Sequence, residues 1–145
     1  MVQIIVINGP NLNLLGVRQP EIYGTKSFET YFIELENSFP EFNLHYYQSN
    51  HEGDLLDKIH GVGYRYDGII LNAGGFTHTS IAIADALRAI TTPVIEVHLT
   101  NIYEREAFRH TNHIKDSAVY SIVGKGLNGY KEAIEYLRDN VINKK

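Results

Sequence analysis

The sequence predicts an α/β domain in which a five-stranded parallel sheet is covered by helices on both faces. Two observations carry this expectation. Five short apolar, β-branched segments recur along the chain: Gln3 to Ile7, Asn43 to Gln48, Gly68 to Asn72, Val94 to His98 and Val119 to Val123. Each has strand length, and the segments between them place apolar residues three and four apart, the helical period. Nearly continuous apolar strands that alternate with helices belong to parallel sheets buried on both faces.

Each helix has its own local signals. Phe28, Tyr31, Phe32, Leu35 and Phe39 form one apolar stripe, with Ser27 as N-cap and Pro40 as the stop. Ser49-Asn50-His51-Glu52 reads as a capping box that opens a second helix carrying Leu55, Leu56, Ile59 and Val62. Ser80 caps a third helix bearing Ile81, Ala84, Leu87 and Ile90, and Pro93 leads into the next strand. Asn101, with Glu104 three residues on, starts a short fourth helix containing Ala107 and Phe108. Tyr130, Ala133, Ile134, Leu137 and Val141 mark the last. Alternating units of this size predict a flavodoxin-like three-layer sandwich.

The 145 residues fit one domain, 1–145, long enough to bury about 70% of the extended surface. A formal charge of −4 with dispersed Lys and Arg argues against a nucleic-acid partner. No apolar run reaches membrane-spanning length, and MVQIIVING lacks a charged leader region, so a cytoplasmic protein with no membrane partner is expected. The chain has no Cys, which excludes disulfides, a thiol nucleophile and Cys-type zinc sites. Chemistry falls to His, Tyr, Asn, Arg and carboxylates.

In an open parallel sheet the ligand sits beyond the carboxyl ends of the strands. Those ends carry Asn8-Gly9-Pro10-Asn11-Leu12-Asn13, the run Asn72 to Ser80, and Glu96-Val97-His98-Leu99-Thr100-Asn101. Taken singly these are ordinary turn formers, but strands 1, 3 and 4 are neighbours in the flavodoxin order. Asn11, Asn72, His78, His98 and the amides of Thr100 to Ile102 should therefore meet in one cleft. Glu96 lies on the same strand face as His98 and can orient its imidazole, an arrangement suited to a general acid. The start of a helix at Thr100-Asn101-Ile102 would attract an anion. Neither GxxxxGK[ST] nor GxGxxG is present, which speaks against nucleotide binding. His110 and His113 lack a third partner at ligand spacing, so no metal is expected.

The long loop from Gly9 to Lys26 can close over this cleft, and its segment 16–25, with GVRQPEIYG, puts Arg18 and Tyr23 on one lid. A phenol is a poor base at neutral pH, but a neighbouring guanidinium favours the phenolate.

The ordered motifs NGPNLNLLG, RQPEIYG, QSNHEG, LNAGGFTHTS, EVHLTN and REAFRH span most of the chain. Together they resemble the type II 3-dehydroquinate dehydratases. The resemblance implies a flavodoxin-like fold and anti elimination of water from 3-dehydroquinate to 3-dehydroshikimate, in the shikimate pathway or in quinate catabolism. By the family motifs, Tyr23 would remove the C2 proton and Arg18 would keep it anionic. Asn11 would hold a water against the enolate, and His98, oriented by Glu96, would protonate the leaving hydroxyl. Asn72 with the Leu99 and Thr100 amides would bind the carboxylate, and His78 and Arg109 the ring hydroxyls. The resemblance also implies that Asp85 of a neighbouring subunit approaches the site and that four trimers form a homo-dodecamer. It implies no cofactor, because a proton beside a ketone yields to a tuned side chain. No lysine stands in the strand-end motifs, which disfavours a Schiff-base route.

Three segments depart from the family pattern: Thr100 where serine is usual, His110-Thr111-Asn112-His113 after Arg109, and Gly124-Lys125-Gly126. Two alternatives stay open on residue chemistry alone. One is a flavodoxin-like binding module, although strand 1 ends without an acidic cluster or a hydroxyl-rich phosphate loop. The other is a dehydratase of a different cyclic hydroxyketoacid.

Overall fold

In the computed structural model, which describes residues 1–144, five parallel strands lie in the order β2-β1-β3-β4-β5. They are β1 (Val2–Asn8), β2 (Phe42–Gln48), β3 (Gly68–Asn72), β4 (Val94–His98) and β5 (Tyr120–Val123). All five expected strands form, and this is the flavodoxin-like arrangement. Register brings their carboxyl ends to one edge: Asn8 pairs with Gln48 on one side and Asn72 on the other, and His98 pairs with Val123.

One short helix, α1 (Pro20–Tyr23), lies on the loop 16–25, and four longer ones cover the sheet: α2 (Phe28–Ser38), α3 (Glu52–Val62), α4 (Ile81–Ala89) and α5 (Asn128–Leu137). Successive strand side chains point to opposite faces. Ile4, Val6, Ile70, Ile95 and Val97 pack with Phe28 and Leu35 of α2 and with Tyr130, Ile134 and Leu137 of α5. Ile5, Ile7, Ile69, Leu71 and Val94 pack with Leu55 and Ile59 of α3 and with Ile83 and Leu87 of α4. Two apolar faces are the reason these strands read as unbroken apolar runs. Among the described residues no helix is long and apolar enough to cross a membrane.

The caps of α2 and α4 form as the sequence predicts: Ser27 Oγ accepts from the Thr30 amide at 3.2 Å and Ser80 Oγ from the Ile83 amide at 2.9 Å. The capping box at Ser49 does not. Helix α3 starts at Glu52 after His51, and Ser49 Oγ instead accepts from the His51 amide at 3.0 Å and donates to Asp54 at 3.0 Å. Ser49 thus stands two residues before the N-cap position, His51, and cannot reach the amide a capping box needs. Helix α5 ends at Leu137, and the expected stripe continues through a π-helical turn, Arg138–Ile142.

Phe28 is the hub of an aromatic cluster, with Tyr46 at 4.6 Å, Tyr130 at 4.9 Å edge-on and Tyr31 at 6.0 Å between ring centroids. Such pairs contribute beyond the area they bury. Phe28→Ala leaves a ring-sized void between α2 and the sheet, and the expected loss is about 3–5 kcal/mol of unfolding free energy, measured by urea denaturation.

Candidate active site

A cleft of about 170 Å³ opens at the carboxyl edge of the sheet. Its wall includes Asn11, Asn72, His98, Leu99 and Thr100 from the strand ends, Arg18 and Tyr23 from the loop 16–25, and Arg109. Arg105, not singled out from the sequence, is there as well.

Close contact between the turns after β1 and β3 shapes the floor. A Cβ on Gly9 would stand 2.5 Å from the Ala73 carbonyl oxygen, so only glycine lets these turns touch. Asn11 then adopts a left-handed backbone (φ 70°), which asparagine tolerates better than most residues. Its amide donates to Asn50 Oδ1 at 2.9 Å, and Gln48 Nε2 donates both to that oxygen at 3.1 Å and to the Gly9 carbonyl at 3.2 Å. The sequence reads Gln48 as the end of a strand and Ser49-Asn50 as the start of a helix; in the fold Gln48 and Asn50 also brace the Asn11 turn.

The loop 16–25 is pinched at its base. Gly16 has φ 97°, and a Cβ there would lie 3.0 Å from the Thr25 carbonyl oxygen and 3.1 Å from the Ser27 amide. Pro20 opens α1, whose single turn ends at Tyr23 before Gly24 (φ 85°). The Arg18 guanidinium carbon is 5.3 Å from the centre of the Tyr23 ring, in cation-π range. The phenol oxygen itself is held by Arg105, whose Nη1 donates to it at 2.9 Å. Sequence reading missed Arg105 because it is 82 positions from Tyr23.

At the end of β4, Glu96 and His98 are 1% and 4% exposed. His98 Nε2 lies 2.7 Å from Glu96 Oε2, the pairing expected from their spacing. Two further donors reach the carboxylate: Asn112 Nδ2 on Oε2 and Ser121 Oγ on Oε1, each at 2.7 Å. Burial by itself pushes the Glu96 carboxyl up; its hydrogen bond to and attraction for His98, with the Ser121 and Asn112 hydrogen bonds, outweigh burial and hold it below the ordinary carboxylate value. Glu96 is therefore an anion at neutral pH. With Nε2 committed to it, Nδ1 is the His98 nitrogen that can exchange a proton with a molecule in the cleft. Asn112 belongs to the segment that departs from the family pattern, and nothing local marks it as a partner of Glu96.

The expected fourth helix is replaced by two 3-10 turns, Ile102–Glu104 and Ala107–His110. Between them Arg105 is extended (φ −102°, ψ −164°), while its side chain reaches Tyr23. A three-residue turn sums too few peptide dipoles for the expected field on an anion. The amides remain: among the described residues those of Leu99 and Thr100 make no hydrogen bond. Glu106 Oε2 accepts from Arg109 Nε at 2.7 Å and so tethers that guanidinium at the cleft.

His78 and Asp85 do not line the cleft of this chain. His78 Nδ1 lies 2.8 Å from the Thr111 carbonyl, and burial holds its imidazole below the ordinary value although that carbonyl opposes it. Asp85 is on the exposed face of α4, paired with Arg88 at 2.6 Å. His110 meets the Arg105 carbonyl at 3.0 Å, and among the described residues no three His, Cys, Asp or Glu side chains are grouped to hold a metal ion.

The chain is similar to known proteins over its whole length. Residues 2–138 match the family model described as dehydroquinase class II. A 3-dehydroquinate dehydratase of Anoxybacillus flavithermus is 49% identical, with 99% of each chain covered. Catabolic 3-dehydroquinase 2 of Neosartorya fischeri is 46% identical over all of this chain and 98% of that one. The crystal structure of type II dehydroquinase from Butyrivibrio crossotus superposes with a TM-score of 0.89 at 43% identity, covering 95% of this chain and 98% of that chain. A cleft that joins a guanidinium-held tyrosine to a carboxylate-held histidine, on a chain alike from end to end, leaves one conclusion: the chain belongs to the class II dehydroquinase family.

Proposed function

We propose that this chain is a 3-dehydroquinate dehydratase that removes water from 3-dehydroquinate by anti elimination, giving 3-dehydroshikimate. The observation that carries the reading is one cleft holding Tyr23 under two guanidinium groups and His98 on an ionised Glu96. These are a base and an acid, each with the charged neighbour its role demands.

The steps follow from that pairing. Tyr23, with Arg105 hydrogen-bonded to its oxygen and Arg18 over its ring, acts as the phenolate that takes the proton from C2. The electron pair passes to the adjacent ketone as an enolate, stabilised through a water held at Asn11. Collapse of the enolate forms the carbon–carbon double bond and breaks the C1–oxygen bond. His98 supplies the proton with which the hydroxyl leaves as water, and Glu96 stabilises the imidazolium that must be present beforehand. Proton exchange with solvent resets both groups. Asn72 and the Leu99 and Thr100 amides serve the substrate carboxylate, and Arg109 the ring hydroxyls; His78, held on the Thr111 carbonyl outside the cleft, would have to turn inward to join Arg109. Each proton and electron pair is accounted for by these side chains without a metal or cofactor. The segment 16–25 acts as a lid on a single catalytic domain, and the same chemistry serves biosynthesis or quinate breakdown.

Assembly belongs to the proposal too. On α4, Ile81, Asp85 and Arg88 are exposed at spacings of four and three, one continuous stripe. Pressed against a neighbouring subunit, this stripe would cover Ile81 and bring Asp85 to that subunit's cleft, in trimers that associate four at a time. Sedimentation of the purified protein is expected to give twelve chains per particle; a stable monomer overturns this part.

Purified protein mixed with 3-dehydroquinate should generate the ultraviolet absorbance of the conjugated enone, unaffected by chelator or borohydride. Tyr23→Phe keeps the ring and removes the base, and kcat should fall by about 10³-fold or more with the fold intact. Wild-type turnover by that variant removes Tyr23 from the mechanism. Glu96→Gln removes the negative charge beside His98 while keeping the side chain's shape, and kcat should fall by about 10²-fold with KM little changed. Wild-type kcat in that variant removes Glu96 from acid catalysis.

A further inference from the structure

Beneath the cleft a buried phenol joins two strand ends. Tyr130, on α5, is fully buried, and its hydroxyl lies between Asn8 at the end of β1 and Asn72 at the end of β3. The Tyr130 hydroxyl donates to Asn8 Oδ1 at 2.8 Å and accepts from Asn72 Nδ2 at 3.0 Å. The Gly74 amide donates to Asn72 Oδ1 at 3.1 Å.

These bonds run in one direction because one end can only donate. A backbone N–H has no lone pair to offer, so the Asn72 atom facing Gly74 must be its oxygen. Its nitrogen then faces Tyr130, and the phenol must send its own hydrogen on to Asn8. A flipped Asn72 would set two donors against each other at Gly74. Gly74 has little freedom to adjust: it holds φ 59°, and a Cβ there would lie 3.0 Å from the Pro10 carbonyl oxygen. Burial holds the phenol well above its ordinary value, so it keeps the hydrogen this arrangement needs.

Asn72 Nδ2 carries two hydrogens. One is used by Tyr130; the second has no protein partner among the described residues, and Asn72 lines the cleft. We propose that Tyr130 is a positioning residue for substrate binding: its hydroxyl locks the Asn72 side chain so that the remaining Nδ2 hydrogen is presented to the substrate as a fixed donor. This rests on the reading of Asn72 as a substrate contact. Tyr130 touches neither substrate nor reacting atoms, and its place in the reaction is to remove one rotational freedom from a group that does.

The test is Tyr130→Phe, which keeps the ring packed against Phe28 and deletes only the oxygen. KM for 3-dehydroquinate should rise by roughly five- to tenfold, the range of one lost hydrogen bond, with kcat within about twofold. A purely structural defect would lower kcat through the folded fraction and leave KM alone. Titration calorimetry with the product, 3-dehydroshikimate, whose stoichiometry counts folded sites only, should show the same weakening. In an Asn72→Ala background the substitution at Tyr130 should have no further effect on KM. If Asn72→Ala alone leaves KM unchanged, Asn72 does not contact substrate and the proposal falls with that reading. If Asn72→Ala raises KM while Tyr130→Phe does not, or the two effects multiply independently, the role of Tyr130 alone is overturned.

Discussion

A carboxylate almost sealed from water at the end of a central strand must have its oxygens met by donors, and Glu96 is that constraint here. Taking an ion out of water costs several kcal/mol, offset only by charge and by well-formed hydrogen bonds. Glu96 gathers His98 from its own strand, Ser121 from β5 and Asn112 from the loop after the second 3-10 turn. Each partner is thereby positioned. Asn112 also accepts from the amides of Ile114 and Lys115 at 2.8 and 3.0 Å, which ties the loop back onto itself. The Thr111 carbonyl beside it holds His78, so one loop governs the orientation of both histidines.

The other side of the cleft depends on a second pairing of charge with a weakly acidic group. Tyr23 stands on a loop whose base is pinched at Gly16, and Arg105 reaches it from the opposite rim. Backbone conformation pays for that reach: the chain gives up a continuous helix at Arg105 and forms two short turns in its place. His98 and Tyr23 are thus each joined to a charged neighbour, one beneath the cleft and one across it. Separate partners let a single small cleft hold an imidazole beside a carboxylate and a phenol beside guanidinium groups.

Turn geometry joins these two halves. Gly9 allows the turns after β1 and β3 to touch, and Asn50, with Gln48, holds the Asn11 turn from the neighbouring strand end. Below them Tyr130 ties Asn8 to Asn72, so the floor of the cleft is one hydrogen-bonded layer across β1 and β3.

Much of this was legible in the sequence. The five strands, the caps at Ser27 and Ser80 and the Glu96–His98 pairing all follow from local rules, because strand period, helix period and cap chemistry act within a few residues. The capping box at Ser49 and the fourth helix failed where a side chain or backbone turned to another partner: Ser49 to Asp54, Arg105 to Tyr23. Arg105 with Tyr23, Asn112 and Ser121 with Glu96, Asn50 with Asn11, and Tyr130 with Asn8 and Asn72 were decided by the tertiary structure alone. These contacts span tens of positions, and their directions exist only after packing has set each element on the sheet. By itself the sequence determined the scaffold and the chemical groups at its edge; the fold decided which group holds which, because a hydrogen bond depends on distance and angle, not on order along the chain.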